Sequence, residues 1–442
     1  MHQSNSKPVK YYSLNHRTPS VNFRDATLIG LAPDRGLYFP EEIPQISEFF
    51  LETIEERTNA EIALEVIRPY VGDSIPEEAL SRIIEKTLSF PIPLVPVSAN
   101  IYSLELFHGP TLAFKDIGAR FMSQCLGYFS TTIREKVVVL VATSGDTGGA
   151  VASGFAGVNG VDVVILYPKG KVSPLQKLQM TTCGENIHAI EVNGTFDDCQ
   201  TMVKAAFLDG DLKRKMFLTS ANSINVARWL PQQFYYFFAW KQWKDKTELP
   251  VFVVPSGNFG NICAGMLAHA SGLPVQHFVA ACNSNDVVVR YLETNDYQPT
   301  KTISTISNAM DVGDPSNFVR VLELFGRVKR LESMFSAFSV DEEKTKRAIK
   351  ECKRIYQYLL DPHGAVGFCA LAKYQIKHSG KGIFLETAHP IKFREIVEEA
   401  TGELIATSLQ PVDSAGRWDN IDASNSDLRR WLISRFNSSM AV

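Results

Sequence analysis

Six short apolar runs recur through this chain: KVVVLVA at 136–142, DVVILYP at 162–168, NIHAIEV at 186–192, PVFVVPS at 250–256, VQHFVAA at 275–281 and GIFLETA at 382–388. Each is rich in Val, Ile or Phe without strict alternation and is followed by a loop or a helix-like stretch, which predicts strands covered on both faces. The expected fold class is therefore α/β with mostly parallel sheets. At 442 residues the chain exceeds the size at which one hydrophobic core keeps growing, so two or more lobes with a cleft between them are expected.

The residues ahead of these runs read differently. From about Ile46 to Leu88 the apolar spacing is helical, and Ser74 with Glu77 predicts a capping box before Leu80, Ile83, Ile84 and Leu88. The segment FPIPLVPVSAN, Phe90 to Asn100, cannot continue a helix, because each proline lacks an N–H donor and restricts its predecessor. A boundary is expected there, between a largely helical N-terminal unit, 1–95, and a catalytic α/β unit, 96–442, with two lobes and a C-terminal helical tail. FYYFFAW, Phe234 to Trp240, is far shorter than the roughly 20 residues that cross a bilayer and predicts a buried helix. The more polar tail from Asp413 predicts one helix around Leu428 to Phe436.

A formal net charge of -3, a pI near 6.3 and the lack of a long basic run give no general attraction to nucleic acid or anionic lipid. Small-molecule chemistry is favoured. The seven cysteines form no CxxC pair and have no histidine spacing suited to zinc, so reduced thiols and no metal are expected. The N-terminal residues lack the apolar stretch of a secretory signal, and a cytoplasmic protein is expected.

One lysine stands out against this background. LFHGPTLAFKDIGARF, Leu106 to Phe121, sets Lys115 where a loop meets a helix, among Leu112, Ala113, Phe114 and Ile117. Such a lysine can carry a Schiff base, since an apolar setting lowers its pKa and leaves more free amine; it can also be a surface partner of Asp116. Two glycine-rich segments, SGDTGGA from Ser144 and PSGNFGN from Pro255, follow predicted strands, where helix N-termini bind anions. Neither is a Walker A loop or a dinucleotide GxGxxG, and either alone could be a plain strand-to-helix turn. Together with Lys115 they suggest pyridoxal phosphate.

LFHGPTLAFKD, ATSGDTG, ILYPKGKVSPLQ, SANSINVAR, VPSGNFGN, SNAMDVGDPSN and TAHPIKF occur in that order. This ordered set closely resembles the threonine synthase family of microbial and fungal type, and the likeness runs from YYSLNHRTPSVNFRDATLIGLAPDRGLYFP to about Glu403. That family belongs to the tryptophan-synthase-β-like, fold type II group of pyridoxal 5'-phosphate enzymes and converts O-phospho-L-homoserine and water to L-threonine and phosphate.

The resemblance implies roles residue by residue. Gly257, Asn258, Phe259, Gly260 and Asn261 would cradle the cofactor phosphate through backbone N–H groups. Thr143, Ser144, Gly145, Asp146 and Thr147 would take the substrate carboxylate and approach its phosphate, which Asn222, Ser223 and Arg228 would complete. Asp146 stands where many relatives in the wider group carry asparagine against the cofactor's ring oxygen; it supports the narrower assignment. Thr387 would face the pyridine nitrogen, and Lys115 would bear the cofactor and then move the α and β protons. His108 and His389 flank the expected site without a catalytic role.

The expected protein acts on this small molecule as a monomer or homodimer and is not activated by S-adenosylmethionine, because nothing like the plant-type regulatory extension precedes Tyr11. Two other readings stand beside it: a phospho-lyase releasing 2-oxobutanoate, ammonia and phosphate, and a non-catalytic cofactor-binding homologue. Intact Lys115 and unbroken loops speak against the latter.

Overall fold

The computed structural model describes residues 9–133, 135–405 and 416–436; the start of the polar tail at Asp413 lies outside them. Two sheets dominate. The larger has six strands in the order Phe335–Ser339, His277–Cys282, Val251–Pro255, Gly382–Glu386, Ile101–Glu105 and Leu94–Ser98, parallel except for the last pair. The smaller has five, Trp418–Asp422, Ile187–Asn193, Val161–Pro168, Val137–Ala142 and Phe217–Ser220, all parallel. All six expected strands are present, and Val137–Ala142 and Val161–Pro168 are buried along their whole length. Side chains covered on both faces explain why these strands show Val and Ile without alternation.

The proline-rich segment ends a helix as expected, since Glu77–Thr87 stops before it. It then supplies the edge strand Leu94–Ser98, whose register breaks between Pro96 and Ser98. Proline is tolerated there because an edge strand leaves one side of its backbone unpaired. The expected Ser74–Glu77 capping box does not form: Pro76 is the N-cap of Glu77–Thr87 and provides no side-chain bond. Ile75, preceding the proline, is extended, with φ -137 and ψ 123, so a helix cannot start at Ser74. The capping box of this region is Thr58 with Glu61, at the head of Asn59–Val71.

The N-terminal helices share one continuous core with the α/β part: Phe23, Ile62, Ile67 and Tyr70 join Phe121, Trp229 and Phe234. FYYFFAW lies in the helix Gln233–Gln242 and is buried as expected. Each such aromatic contributes on the order of 1.5–3 kcal/mol by leaving water. Tyr236 also has a polar role, for its hydroxyl donates to Asn261 Oδ1 at 2.8 Å. The tail helix Asn425–Phe436 packs Leu428, Leu432 and Phe436 on Cys199, Met202 and Val203.

This arrangement brings loop ends together. Residues 143–145 link Val137–Ala142 to the helix Asp146–Phe155, and 256–259 link Val251–Pro255 to the helix Gly260–Ala270. Lys115 begins the helix Lys115–Ser130, and the N–H of Phe114 donates to the Thr387 carbonyl at 2.9 Å, just past Gly382–Glu386.

Candidate active site

These loop ends enclose a cavity of about 1010 Å³. Its wall includes Lys115, Thr143, Ser144, Asp146, Thr147, Asn222, Ser223, Arg228, Gly257, Asn258, Phe259, Gly260, Asn261 and Thr387. Of the residues expected at the site, Gly145 alone stays off the wall. Its φ of +141 turns the chain, and the Gln176 side chain fills the space where a Cβ would lie, 2.4 Å away.

Lys115 is partly exposed to the cavity, with its Nζ 4.6 Å from the Phe114 ring centroid. It makes no ion pair with Asp116, whose carboxylate instead accepts from the Thr111 hydroxyl at 2.6 Å and the Thr111 N–H at 3.0 Å. Among the described residues nothing bonds to the Lys115 amine. Burial pushes its pKa down to about 8; Asp146 opposes the shift, Lys392 and Arg228 add to it, and Asp361 opposes it. In cofactor-free protein an amine-reactive reagent should therefore label Lys115 with a pH midpoint about 8, read by peptide mass mapping. Labelling that rises only with the surface lysines, near pH 10 to 11, would contradict this.

The cradle opposite has an unusual backbone. Phe259 is left-handed, with φ +59, and serves as N-cap of Gly260–Ala270. The N–H groups of residues 257–261 have no acceptor among the described residues. Backbone donors in a protein wall are rarely left so, and five in succession at a helix N-terminus match the oxygens of a phosphate. The buried Nδ2 of Asn261 is also without a partner. The donor set and the unpaired lysine fit pyridoxal phosphate.

The second loop is shaped from within. Thr143 Oγ1 accepts from the N–H groups of Gly145 and Gly148, each at 2.9 Å, so its hydroxyl holds the turn. Among the described residues no such bond engages the N–H groups of Ser144, Asp146 and Thr147. Arg228 is buried and donates from Nη1 to the Ala221 carbonyl at 3.0 Å, leaving Nε without a partner. Burial lowers its pKa to about 10, and it stays a cation at neutral pH. The Asn222 Oδ1 is buried and unpartnered, and Ser223 Oγ accepts from Asn317 Nδ2 at 3.1 Å.

Sequence reasoning missed several residues that hold the site. Asp146 forms a buried ion pair with Lys392, Nζ to Oδ1 2.7 Å, and accepts from Gln176 Nε2 at 3.0 Å. Burial pushes the Asp146 carboxyl up, but Lys392, Lys115 and Gln176 overcome this and hold it well below the usual carboxylate range. Lys392 lies in TAHPIKF, where a lysine between Ile391 and Phe393 was the available signal. Arg320 was also missed; its guanidinium donates to the Tyr38, Ser223 and Ile224 carbonyls and to Asn317 Oδ1, over the Trp229 ring. It ties the N-terminal unit to the 222–224 loop. His108 pairs with Glu105 at 2.7 Å and His389 accepts from the Ile391 N–H, structural roles in both cases.

Known proteins resemble this chain over most of its length. Residues 88–385 match the family described as pyridoxal-phosphate dependent enzyme, residues 10–88 that described as threonine synthase N terminus, and residues 364–415 that described as threonine synthase, C-terminal. The chain is 43% identical over 436 residues to a threonine synthase of Escherichia coli (strain K12), covering 96% of this chain and 99% of the relative. It is 45% identical over 392 residues to one of Haemophilus influenzae, covering 88% and 91%. Among solved structures, threonine synthase from Escherichia coli matches with TM-score 0.90 at 41% identity, covering 96% of this chain and 100% of that one. The PLP-bound threonine synthase from Brucella melitensis matches with TM-score 0.88 at 34% identity, covering 97% and 99%.

Proposed function

The chain belongs to the threonine synthase family, and we propose that Lys115 and the loops around it carry that family's reaction. It is a pyridoxal 5'-phosphate-dependent lyase that converts O-phospho-L-homoserine and water to L-threonine and phosphate. The observation that carries the site assignment is that, among the described residues, the Lys115 amine is unpaired in a cavity with five acceptor-free N–H groups.

Pyridoxal phosphate supplies, when bound, a carbon electrophilic towards amines and an electron sink conjugated with the substrate's α carbon. Gly257, Asn258, Phe259, Gly260 and Asn261 would hold its phosphate, and the neutral hydroxyl of Thr387 would face its ring nitrogen and leave it less firmly protonated than a carboxylate would. In the cofactor-free protein burial lowers the Lys115 pKa to about 8, which leaves more of its amine free at neutral pH than an exposed lysine has. Lys115 takes and returns protons at the substrate's α and β carbons. The N–H groups of Ser144, Asp146 and Thr147 bind the substrate carboxylate, while Arg228, Asn222 and Ser223 take the phosphate that leaves the γ carbon. Asp146, kept ionised by Lys392, orients its loop and opposes loss of the Lys115 proton.

The N-terminal residues ahead of the edge strand Leu94–Ser98 buttress the catalytic part through the bonds of Arg320 to the Tyr38 carbonyl. No helix among the described residues is long and apolar enough to cross a membrane, and the seven thiols are free; we assign the protein to the cytoplasm, as a monomer or homodimer. Borohydride reduction of the holoenzyme followed by peptide mass mapping tests the site. The cofactor adduct is expected on Lys115, and an adduct on another lysine would refute the assignment.

A further inference from the structure

The segment SNAMDVGDPSN, Ser307 to Asn317, walls the phosphate cradle. A Cβ on Gly257 would stand 2.7 Å from the Met310 Cα, so the short turn Asn308–Met310 presses directly on the cradle backbone. The far end of the segment is pinned by Asn258, whose Oδ1 accepts from the Ser316 N–H at 3.0 Å and whose carbonyl accepts from the Asn317 N–H at 3.2 Å. The near end is pinned by a residue that the reaction does not use: the Ala309 N–H donates to Nε2 of His363 at 3.2 Å.

His363 is buried on the cavity wall in the first turn of the helix Pro362–Lys377. Its Nδ1 lies 2.5 Å from Oδ1 of the fully buried Asp361. That carboxylate accepts a hydrogen bond from the Nδ1–H, which leaves Nε2 bare as an acceptor. Asp361 is fixed in turn, because it accepts from the N–H groups of His363 and Gly364 and donates its own N–H to Glu386 Oε1 at 2.7 Å. Phe393 packs against the imidazole, with centroids 4.9 Å apart. A chain of fixed groups thus runs from the strand end before Thr387 to the turn on Gly257.

We propose that His363 is a positioning residue for the cofactor phosphate: with its tautomer set by Asp361, it holds the Asn308–Met310 turn against Gly257 so that the cradle's N–H groups converge. This rests on the assignment of residues 257–261 to that phosphate. Its action is confined to the phosphate end of the cofactor, so it should separate pyridoxal phosphate from pyridoxal.

The test uses full-length protein stripped of cofactor and titrated with either compound, followed by the absorbance change on binding. Wild type should bind pyridoxal phosphate far more tightly than pyridoxal. His363→Ala should weaken pyridoxal phosphate binding about tenfold, the loss of one well-placed hydrogen bond, and leave pyridoxal binding unchanged. His363→Gln, whose Oε1 can stand near the place of Nε2, should recover most of the affinity, and Gly257→Ala should share the loss with His363 intact. Unchanged pyridoxal phosphate affinity in His363→Ala, or an equal loss for both compounds, would overturn the proposal. Wild type that fails to discriminate between the compounds would overturn the cradle assignment itself, and the proposal with it.

Discussion

Lys115→Ala is expected to lose turnover by roughly four orders of magnitude, the upper range for removing a group with the two roles proposed for it, bearing the cofactor and transferring protons. No other amine can substitute in place. Lys392, also close enough to affect Lys115, is held by Asp146 at 2.7 Å and by the Thr111 carbonyl at 2.8 Å. The variant should fold, and the sign of its stability change separates lost chemistry from lost structure. Lys115 has a folded pKa of about 8 against about 10.4 for a free lysine, so the folded state disfavours its charge. That cost is fully present below pH 8 and fades as pH rises from 8 towards 10.4. Alanine removes it, and the cofactor-free variant should melt no lower than cofactor-free wild type at pH 7. A variant with one tenth of wild-type turnover would contradict the role of Lys115.

Lys392→Met should have the largest effect on stability, about 3–5 kcal/mol, because it leaves Asp146 buried with its charge uncompensated. Gln176 alone would remain as a donor to that carboxylate. Asp146→Asn with Lys392→Met should recover most of the loss, since a neutral amide beside an apolar side chain leaves no buried charge. Chemical denaturation of the two single variants and the double variant measures this coupling; additive losses would show that the pair does not act as a unit. The pH dependence has a definite sign. The Asp146 carboxyl titrates lower folded than unfolded, so its contribution is fully present above about pH 4 and is lost as pH falls through the folded value.

Much of this structure can be read from sequence where one strand or one loop suffices. The Val and Ile runs at 137–142 and 161–168 are buried on both faces, and nothing competes with that pattern. Ile101–Glu105, Phe217–Ser220 and Phe335–Ser339 carry too few branched residues to stand out, yet they complete the sheets. Trp418–Asp422 is mostly exposed and polar, and only its pairing with Ile187–Asn193 makes it a strand. Ser74 and Glu77 have capping-box spacing, but Pro76 holds Ile75 extended and breaks the box.

At the site, Lys115 and the two glycine loops are local motifs and were visible. The ion pair of Asp146 with Lys392, the Arg320 anchor and the bond of His363 to Ala309 join distant segments. A lone buried histidine or lysine gives no sign in sequence of the partner it will meet. Those residues fix the geometry on which the exposed chemistry depends.

Product analysis of the holoenzyme with O-phospho-L-homoserine separates threonine synthesis from phosphate elimination most directly. L-threonine and phosphate are expected in equal amounts; 2-oxobutanoate and ammonia accompanying the phosphate, with no threonine, would rule out threonine synthesis.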